Sequence, residues 1–423
     1  MRAILVLAAL VLAACAPRAE PNLNPLAEQY VRLALEIGTH EDGYIDAYYG
    51  PPEWKTEAEA HPRSTAELKA AADRLVEQIR AAQAQAHDAD VQRRARALAL
   101  YVSSARFRLD MIDGVRVPFA DEAERLFGLR PTVQPLASYD APLARIEALA
   151  PGRGPLADRV QAFRDRYRVP QDRLDEVVGA AIAECRRRTA EHFPLPSGET
   201  FSLEFVTGKS WSAYNYYQGG NTSKIEVNTD FPLQIDRPVG LGCHEGYPGH
   251  HVQGISAERM YRERGWVEYS VMPLFSPQGP LNEGGGNYGV DLAFPHGERL
   301  RFEKETLYPL AGLNPATADA LETLNNAVRD LRGARITIAQ MYLDGQIDRA
   351  RALELTEHYL LLSPARADQN LRFTEHYRSY VINYATGEDV VRAYVERAGP
   401  DAQARWAAYE GILNQPTIPA DLQ

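Results

Sequence analysis

The chain has 423 residues and carries 46 Lys and Arg against 57 Asp and Glu, a formal net charge of −11 at pH 7. Such a chain, with no basic stripe, is a poor candidate for binding nucleic acid, because affinity for the phosphate backbone comes mostly from clustered Lys and Arg. Hydrophobic residues make up 45% and charged residues 24%, as in ordinary globular proteins. The composition therefore predicts a folded protein with a sizeable core and no nucleic-acid partner.

The N-terminus is strongly apolar and reads MRAILVLAALVLAAC, but its apolar run is too short for a comfortable transmembrane helix. The end of the run, Leu12-Ala13-Ala14-Cys15, resembles the lipobox of bacterial lipoproteins. We therefore expect a signal peptide over 1–15, lipid on Cys15 as the membrane anchor, and a tether over 16–24. The body of a Gram-negative lipoprotein of this kind would face the periplasm. A plain secretory signal is the alternative.

If Cys15 carries lipid, two thiols remain, at Cys185 and Cys243. In an oxidising compartment they can form one disulfide or stay buried and reduced. Their spacing does not decide between these two states.

Residues 25–193 read as successive helices and predict a helical scaffold region. Ser64-Thr65-Ala66-Glu67 is a capping-box pattern that opens a helix running to about Ala86. Apolar residues from Val91 to Ile112 recur at helical spacing. Further helices are expected near Ala120 to Gly128, Ala141 to Leu149 and Gln171 to Phe193.

The pattern changes at Pro194, where the region 194–423 begins. Leu203 to Val206 and Lys224 to Asn228 have the alternation of short strands, and Tyr214 to Asn221 separates them with a Gly-Gly turn. They predict a small antiparallel sheet or hairpin, whose strand near Ile225 is a candidate edge for pairing with an extended peptide. Helices are then expected near Ala316 to Leu343, Asp348 to Leu362, Ala365 to Tyr384, Asp389 to Ala398 and Ala402 to Leu413. The predicted fold is mainly α, with one small antiparallel sheet.

The segment Gly242 to Gln253 reads GCHEGYPGHHVQ and places three histidines beside a carboxylate. It is a variant of the zinc-peptidase His-Glu-x-x-His element, in which two imidazoles hold the metal and the Glu activates water. The segment thus predicts a catalytic zinc site, with His244 as one ligand and Glu245 as the general base.

The spacing departs from the regular element because Pro248 occupies the position four residues after His244. On an unbroken helix His251 would lie about 10 Å from His244 along the axis, too far to share one ion. We therefore expect Pro248 and Gly249 to break the helix so that a later histidine swings back. His250 is the preferred second ligand, and His251 is the alternative.

The string HEGYPGHHVQ resembles the signature of the bacterial family catalogued as domain of unknown function 885, many of whose members are described as lipoproteins. That family in turn resembles the mainly helical zinc metallopeptidases of the gluzincin type, including the Taq-type carboxypeptidases. The resemblance extends from about Phe201 to Gly387 and includes Asn282 to Gly289, NEGGGNYG, in the place of a second motif that contains Glu-Gly. It implies a large helical metallopeptidase-like fold, with the sheet near the active site.

Glu283 is the expected third ligand, because a catalytic zinc takes three protein groups and keeps one position open for water. Asp291 and His296 are weaker substitutes, or groups that orient a ligand imidazole. One zinc ion per chain is expected.

The predicted reaction is hydrolysis of an amide without a covalent intermediate, in which Glu245 takes a proton from water and passes it to the leaving amine. The oxyanion needs a further donor. Tyr384, which precedes Gly387 as in a late motif of the resembling family, is the first candidate. Tyr380 and Arg378 follow it.

The expected substrate is a short peptide or another small amide. Two other functions stay open. One is a zinc hydrolase that acts on a non-peptide amide or ester. The other is a non-catalytic envelope lipoprotein that serves as a binding or scaffold module, although such a module has no need of the base Glu245.

Overall fold

A computed structural model describes residues 20–209 and 211–423 of the chain, and α-helices dominate it. The helices are α1 (Asn24–Ile37), α2 (Pro52–Ala60), α3 (Thr65–Gln85), α4 (Ala89–Ile112), α5 (Phe119–Phe127), α6 (Asp140–Leu149), α7 (Leu156–Arg164), α8 (Leu174–Ala190), α9 (Arg237–Leu241), α10 (His250–Arg264), α11 (Gly279–Ala293), α12 (Glu298–Phe302), α13 (Tyr308–Leu310), α14 (Ala318–Arg329), α15 (Ala334–Leu343), α16 (Arg349–Leu360), α17 (Pro364–Tyr377), α18 (Ile382–Glu396) and α19 (Ala402–Leu413). The strands are β1 (Ile45–Tyr48), β2 (Thr200–Val206), β3 (Ala213–Gly219), β4 (Thr222–Asn228) and β5 (Val271–Pro273). The predicted mainly α fold is confirmed.

The larger sheet has the strand order β2-β4-β3, with β2 parallel and β3 antiparallel to β4. The segment expected to be a connector, from Tyr214 to Asn221, is therefore mostly strand β3. The prediction missed it because the strand sequence, AYNYYQG, does not alternate between apolar and polar residues. The expected peptide-pairing edge at Ile225 is also wrong, since β4 is the central strand and both of its sides are hydrogen-bonded.

A second, two-stranded sheet joins distant parts of the chain. Strands β1 and β5 pair antiparallel, with Ile45 opposite Pro273 and Tyr48 opposite Val271. The main hydrophobic cluster spans the same divide, because buried residues of α1, α3, α4 and α5 pack with Phe275, Ile336 and Val381. The predicted scaffold region 25–193 and the region 194–423 thus share a core.

The helix α3 begins as its sequence predicts. Ser64 Oγ accepts a hydrogen bond from the backbone N–H of Glu67, and the Glu67 carboxylate accepts one from the backbone N–H of Ser64. This reciprocal pair satisfies two backbone donors that the first turn of a helix leaves free.

Two expected helices are each divided. The run from Ala316 to Leu343 breaks over residues 330–333, between α14 and α15. At Gly333 a Cβ atom would lie 2.4 Å from the hydroxyl of Tyr139. The run from Ala365 to Tyr384 breaks at Arg378, whose φ is 52°. Buried Glu122 holds this second break, because its Oε1 accepts hydrogen bonds from the backbone N–H and the hydroxyl of Ser379.

Cys185 and Cys243 form a disulfide, with their Cα atoms 5.4 Å apart. It links α8 to the π-helical segment Gly242–Gly246, inside a second buried cluster that also contains Ile182 and Tyr247. Of the two states that the sequence left open, this structure has the disulfide and not the two reduced thiols.

Within the described ranges, no helix combines the length and apolar character needed to cross a bilayer. The predicted signal peptide, Cys15 and residues 16–19 of the predicted tether lie outside the described residues.

Candidate metal centre

The helix that carries His244 ends before Pro248, as the sequence predicts. The π-helical segment Gly242–Gly246 continues α9, Tyr247 is extended, and α10 begins at His250. The chain folds back tightly here, and the backbone N–H of Gly249 donates to the carbonyl of Cys243 at 2.9 Å. A Cβ atom at position 249 would lie 1.9 Å from the carbonyl oxygen of His244, so this turn requires glycine.

This turn brings His244 and His250 together from two helices. Their ring centroids are 4.6 Å apart with the planes at 84°. Glu283 of α11 faces both, with Oε2 at 3.3 Å from His244 Nε2 and 3.8 Å from His250 Nε2. Ligand atoms around a tetrahedral zinc with bonds of about 2.0 to 2.1 Å lie roughly 3.3 to 3.5 Å apart. The three ligand atoms lie within 4.8 Å of one another, close enough that they could hold one metal ion.

Two amide side chains fix the tautomers of these histidines. Asn287 donates through Nδ2 to the carbonyl of Tyr384 at 2.8 Å, so its Oδ1, 3.0 Å from His244 Nδ1, accepts from that nitrogen. Gln253 does the same for His250, since its Nε2 donates to the carbonyl of Asn282 and its Oε1 lies 2.8 Å from Nδ1. Both imidazoles thus carry hydrogen on Nδ1 and present the Nε2 lone pair to the centre.

The carboxylate of Glu283 is held in a similar way. Its Oε1 accepts a hydrogen bond of 2.5 Å from the hydroxyl of Tyr380. Its Oε2 is buried and has no hydrogen-bond partner among the described residues. Burial raises the pKa of Glu283, but the proton donors around it, Tyr380 among them, shift it downward overall, which favours the carboxylate. An ionised, buried oxygen without a donor fits a cation, and a His-His-carboxylate set suits zinc.

The three glycines after Glu283 do not interrupt α11. Each one makes room for a close neighbour: a Cβ atom would lie 2.2 Å from the backbone of Gly387 at Gly284, 3.1 Å from the hydroxyl of Tyr409 at Gly285, and 2.8 Å from His244 Nδ1 at Gly286. The run thus allows α11 to approach both α18 and the imidazole of His244 closely.

Glu245 lies beside the centre and is 6% exposed. Burial raises its pKa to about 7, with Glu283 adding to the shift and His250 and Arg237 opposing it. A carboxylate that titrates near neutrality is suited to take up and release a proton during a reaction.

His251 points away from the centre and is fully buried. Its Nε2 lies 2.9 Å from Glu199 Oε2 and its Nδ1 lies 2.8 Å from the hydroxyl of Ser223. Glu199 also accepts hydrogen bonds from Tyr247 and Arg186. Burial opposes ionisation of Glu199, but these hydrogen bonds lower its pKa to about 2. Both nitrogens of His251 are thus engaged in a structural network.

The proposed oxyanion donors differ in position. Tyr384 lines the cleft at the centre, and its hydroxyl has no hydrogen-bond partner among the described residues. Burial, with a further contribution from Glu283, raises its pKa well above the usual value, which keeps the phenol protonated. Arg378 is not among the residues that line the cleft; its guanidinium forms an ion pair with Glu122 at 2.7 Å. A different arginine, Arg335, lines the cleft, with its guanidinium 5.7 Å from the ring centre of Tyr384.

The centre opens into a cleft of about 920 Å³, large enough for a peptide of a few residues. Tyr214 and Tyr216 of β3 line one wall. Asp46 of β1 lies on another and is open to the cleft. Desolvation between the cleft walls raises the pKa of Asp46; His250 opposes the shift, and Glu283 and Glu245 add to it.

The sequence did not single out several groups of this site: Asp46, Asn287, Gln253 and Arg335. Asn287 and Gln253 were within reach of a sequence argument, because each follows a ligand at helical spacing, Glu283 by four residues and His250 by three. Asp46 and Arg335 come from distant elements and had no such signal. Asp291 and His296, the substitutes for Glu283, are not in the cluster, and Asp291 pairs with Arg392 at 2.7 Å.

A search of solved structures finds a similar fold in the crystal structure of a protein described as a candidate lipoprotein of Colwellia psychrerythraea. The two chains are 14% identical and superpose with a TM-score of 0.50, over 82% of this chain and 65% of that one. This chain therefore spans less than two thirds of that protein, and the likeness shows the fold alone. A scan against protein-family models and a search of curated proteins find no match.

Proposed function

We propose that this protein is a zinc-dependent hydrolase that cleaves short peptides. The observation that carries the proposal is the convergence of His244 Nε2, His250 Nε2 and the unpartnered Oε2 of Glu283 on one point of the cleft, beside the buried Glu245. A non-catalytic module would need neither a buried carboxylate beside the metal ligands nor the Tyr384 phenol in the same cleft.

A zinc ion held by His244, His250 and Glu283 would act as a Lewis acid on the substrate carbonyl and favour ionisation of a water molecule. The chain's own groups supply the proton transfers. Glu245 accepts the proton of the attacking water and delivers it to the leaving amine. Tyr384 donates a hydrogen bond to the oxygen on which negative charge develops. Arg335 adds a positive charge next to the Tyr384 ring.

Asn287 and Gln253 contribute by orientation. Each holds one imidazole with Nε2 directed to the centre, and Tyr380 holds Glu283 through Oε1. Because these partners are themselves hydrogen-bonded or buried, the three ligands are arranged before any metal arrives. Membership in the family catalogued as domain of unknown function 885 is part of this proposal and rests on the motif resemblance.

We further propose that the protein is a lipoprotein of the cell envelope, anchored through Cys15. The lipobox, the Cys185–Cys243 disulfide and the lipoprotein description of the structural neighbour support this location. Replacement of Cys15 by Ser tests it in fractionated cells. The anchor predicts transfer of the protein from the membrane to the soluble fraction, and unchanged membrane association would contradict it.

Metal analysis and a peptide-library digest test the enzymatic proposal together. We expect about one zinc per chain, loss of cleavage after chelation, and recovery when zinc is restored. A protein without stoichiometric metal would overturn the proposal. A zinc-loaded protein that cleaves esters or non-peptide amides but no peptide would support the metal centre and contradict the proposed peptide substrate.

A further inference from the structure

Three arginines of the cleft wall form a cluster that we call the cationic subsite: Arg164, Arg237 and Arg366. They come from three separate elements, the last residue of α7, the first residue of α9 and the first turn of α17. Burial lowers the pKa of Arg366, and Arg237 and Arg164 lower it further. Such mutual destabilisation occurs where like charges are held close together.

These arginines lack acidic partners among the described residues. Within residues 20–209 and 211–423, none of them forms an ion pair with an Asp or Glu. Arg164 donates through Nη2 to Asn325 at 3.0 Å, and its buried Nε has no acceptor. The guanidinium of Arg366 lies over the ring of Phe231, 4.6 Å from its centre. The donors of the cluster are therefore largely unused.

Two carboxylates, Asp165 and Asp236, lie close enough to act on the cluster. Asp165 pairs with Arg168 at 2.6 Å, and Asp236 accepts a hydrogen bond of 2.9 Å from Asn325. Arg168 balances the charge of Asp165. Asp236, whose Oδ1 has no hydrogen-bond partner among the described residues, is left as one negative charge against the three arginines. In a chain with a net charge of −11, a local positive excess at these three arginines of the cleft wall favours an anion from outside the protein.

The position of Arg237 in the chain indicates how far the cationic subsite lies from the metal centre. It precedes His244 by seven residues on the continuous helical segment 237–246, two turns away. At about 1.5 Å per residue this separates them by on the order of 10 Å along the axis. An extended peptide covers that span with about three residues.

We propose that the cationic subsite binds a carboxylate of the substrate about three residues from the cleaved bond. The inference rests on the proposed function, because a peptide substrate offers carboxylates as its anionic groups. Either an Asp or Glu side chain or the free C-terminus supplies the same chemistry. Guanidinium groups bind carboxylates through paired, charge-assisted hydrogen bonds, which gives the subsite its selectivity.

Equilibrium binding tests the subsite without requiring hydrolysis. The probes are fluorophore-labelled octapeptides of neutral residues, with a single Glu or Gln moved through the sequence and the C-terminus either free or amidated. Fluorescence anisotropy then gives the affinity of the intact protein for each probe. We expect carboxylate-bearing probes to bind on the order of tenfold more tightly than the matched amide probes. The amidated Glu probes and the free-acid Gln probes distinguish the two sources of the carboxylate.

Arginine variants assign that preference to the subsite. Arg237→Gln and Arg366→Gln should each remove most of it and leave binding of the neutral probe unchanged, whereas Arg237→Lys should restore part of it. Arg74→Gln, which removes one charge from an exposed position of α3, is the control and should have no effect. Equal affinity for charged and neutral probes, or a preference that survives both glutamine variants, would overturn the proposal.

The outcome separates this inference from the proposed function. A charge preference that depends on Arg237 and Arg366 in a protein without hydrolytic activity would keep the subsite and refute the enzyme. Cleavage of peptides without any preference for a carboxylate would keep the enzyme and refute the subsite.

Discussion

Glu283 and Asn287 lie one turn apart on α11 and face the two nitrogen atoms of a single imidazole. Glu283 Oε2 is 3.3 Å from His244 Nε2, and Asn287 Oδ1 is 3.0 Å from His244 Nδ1. One helix therefore supplies both a proposed ligand and the group that orients its neighbour. The geometry of the centre depends on the rotation of that helix as much as on the histidines.

Asn287→Ala tests this orientation. Without the Oδ1 acceptor, the ring of His244 is free to rotate or to change tautomer, and loss of such a partner typically costs about 10- to 100-fold in metal affinity. We expect a decrease of that size in a zinc titration against a chelating dye. Asn326→Ala, at an exposed position of α14, is the matched control. An affinity equal to that of the wild type would show that Asn287 does not position His244.

His250→Ala and His251→Ala should have opposite effects. Loss of His250 removes a proposed ligand that is partly open to the cleft, so we expect zinc to be lost with little change in the unfolding free energy of the metal-free protein. Loss of His251 leaves Glu199 Oε2 and Ser223 with one partner fewer in the interior, which costs roughly 1 to 3 kcal/mol of stability. Zinc content and urea unfolding measure the two effects. Zinc loss in the His251 variant alone would reverse the assignment of the second ligand.

Glu245→Gln preserves the size of the side chain and removes its basicity. Zinc content and thermal stability should remain close to the wild-type values, while peptide hydrolysis falls by roughly 100- to 10,000-fold, the usual contribution of a positioned proton-transfer group. Glu204→Gln, at an exposed position of β2, is the control for loss of one carboxylate. Equal hydrolysis rates in the wild type and the Glu245 variant would exclude Glu245 as the base.

Glu199 gives the fold a defined dependence on pH. Its folded-state pKa of about 2 is lower than the ordinary value of 4.5, so ionised Glu199 stabilises the fold above about pH 4.5, and this contribution is lost as the pH falls toward 2. The shift corresponds to roughly 3 kcal/mol. We expect Glu199→Gln to be less stable than the wild type in urea at pH 7 and the difference to narrow between pH 4.5 and 3. A difference that is constant with pH would assign the loss to packing.

The disulfide makes a separate contribution to stability. Cys185 and Cys243 are 58 residues apart, and closing a loop of that length lowers the entropy of the unfolded chain by an amount worth about 4 kcal/mol. A Cys185→Ala, Cys243→Ala double variant should lose stability of that order in urea unfolding. A reducing agent should lower the stability of the wild type and leave the variant unchanged. Equal sensitivity of both proteins would show that the bond does not stabilise the fold.

Local signals in the sequence predicted the parts of this structure that local physics determines. The capping box at Ser64 marks the start of α3, and the Pro248-Gly249 pair marks the helix break that lets His250 approach His244. The proline cannot continue the helix, and only glycine fits against the His244 carbonyl, so the reason for the break is contained in a few adjacent residues.

The remaining features depend on residues far apart in the chain. The break at Arg378 forms because Glu122, 257 positions before Ser379, binds the Ser379 backbone. Arg378 was an oxyanion candidate by its proximity to Tyr380, yet the same Glu122 draws its guanidinium away from the cleft. No helical periodicity or spacing rule reports a partner at that distance, and the same limit hid Asp46 and Arg335.

The pairing of β1 with β5 has a consequence for the way the chain can be divided. A fragment of residues 194–423 would retain both histidines and Glu283, but it would lose the strand opposite Val271 and the cover over Phe275 and Ile336. Newly exposed apolar surface of that kind favours aggregation over independent folding. We expect the region 194–423 to fold only together with the helices that precede it, so that the two regions unfold as one cooperative unit.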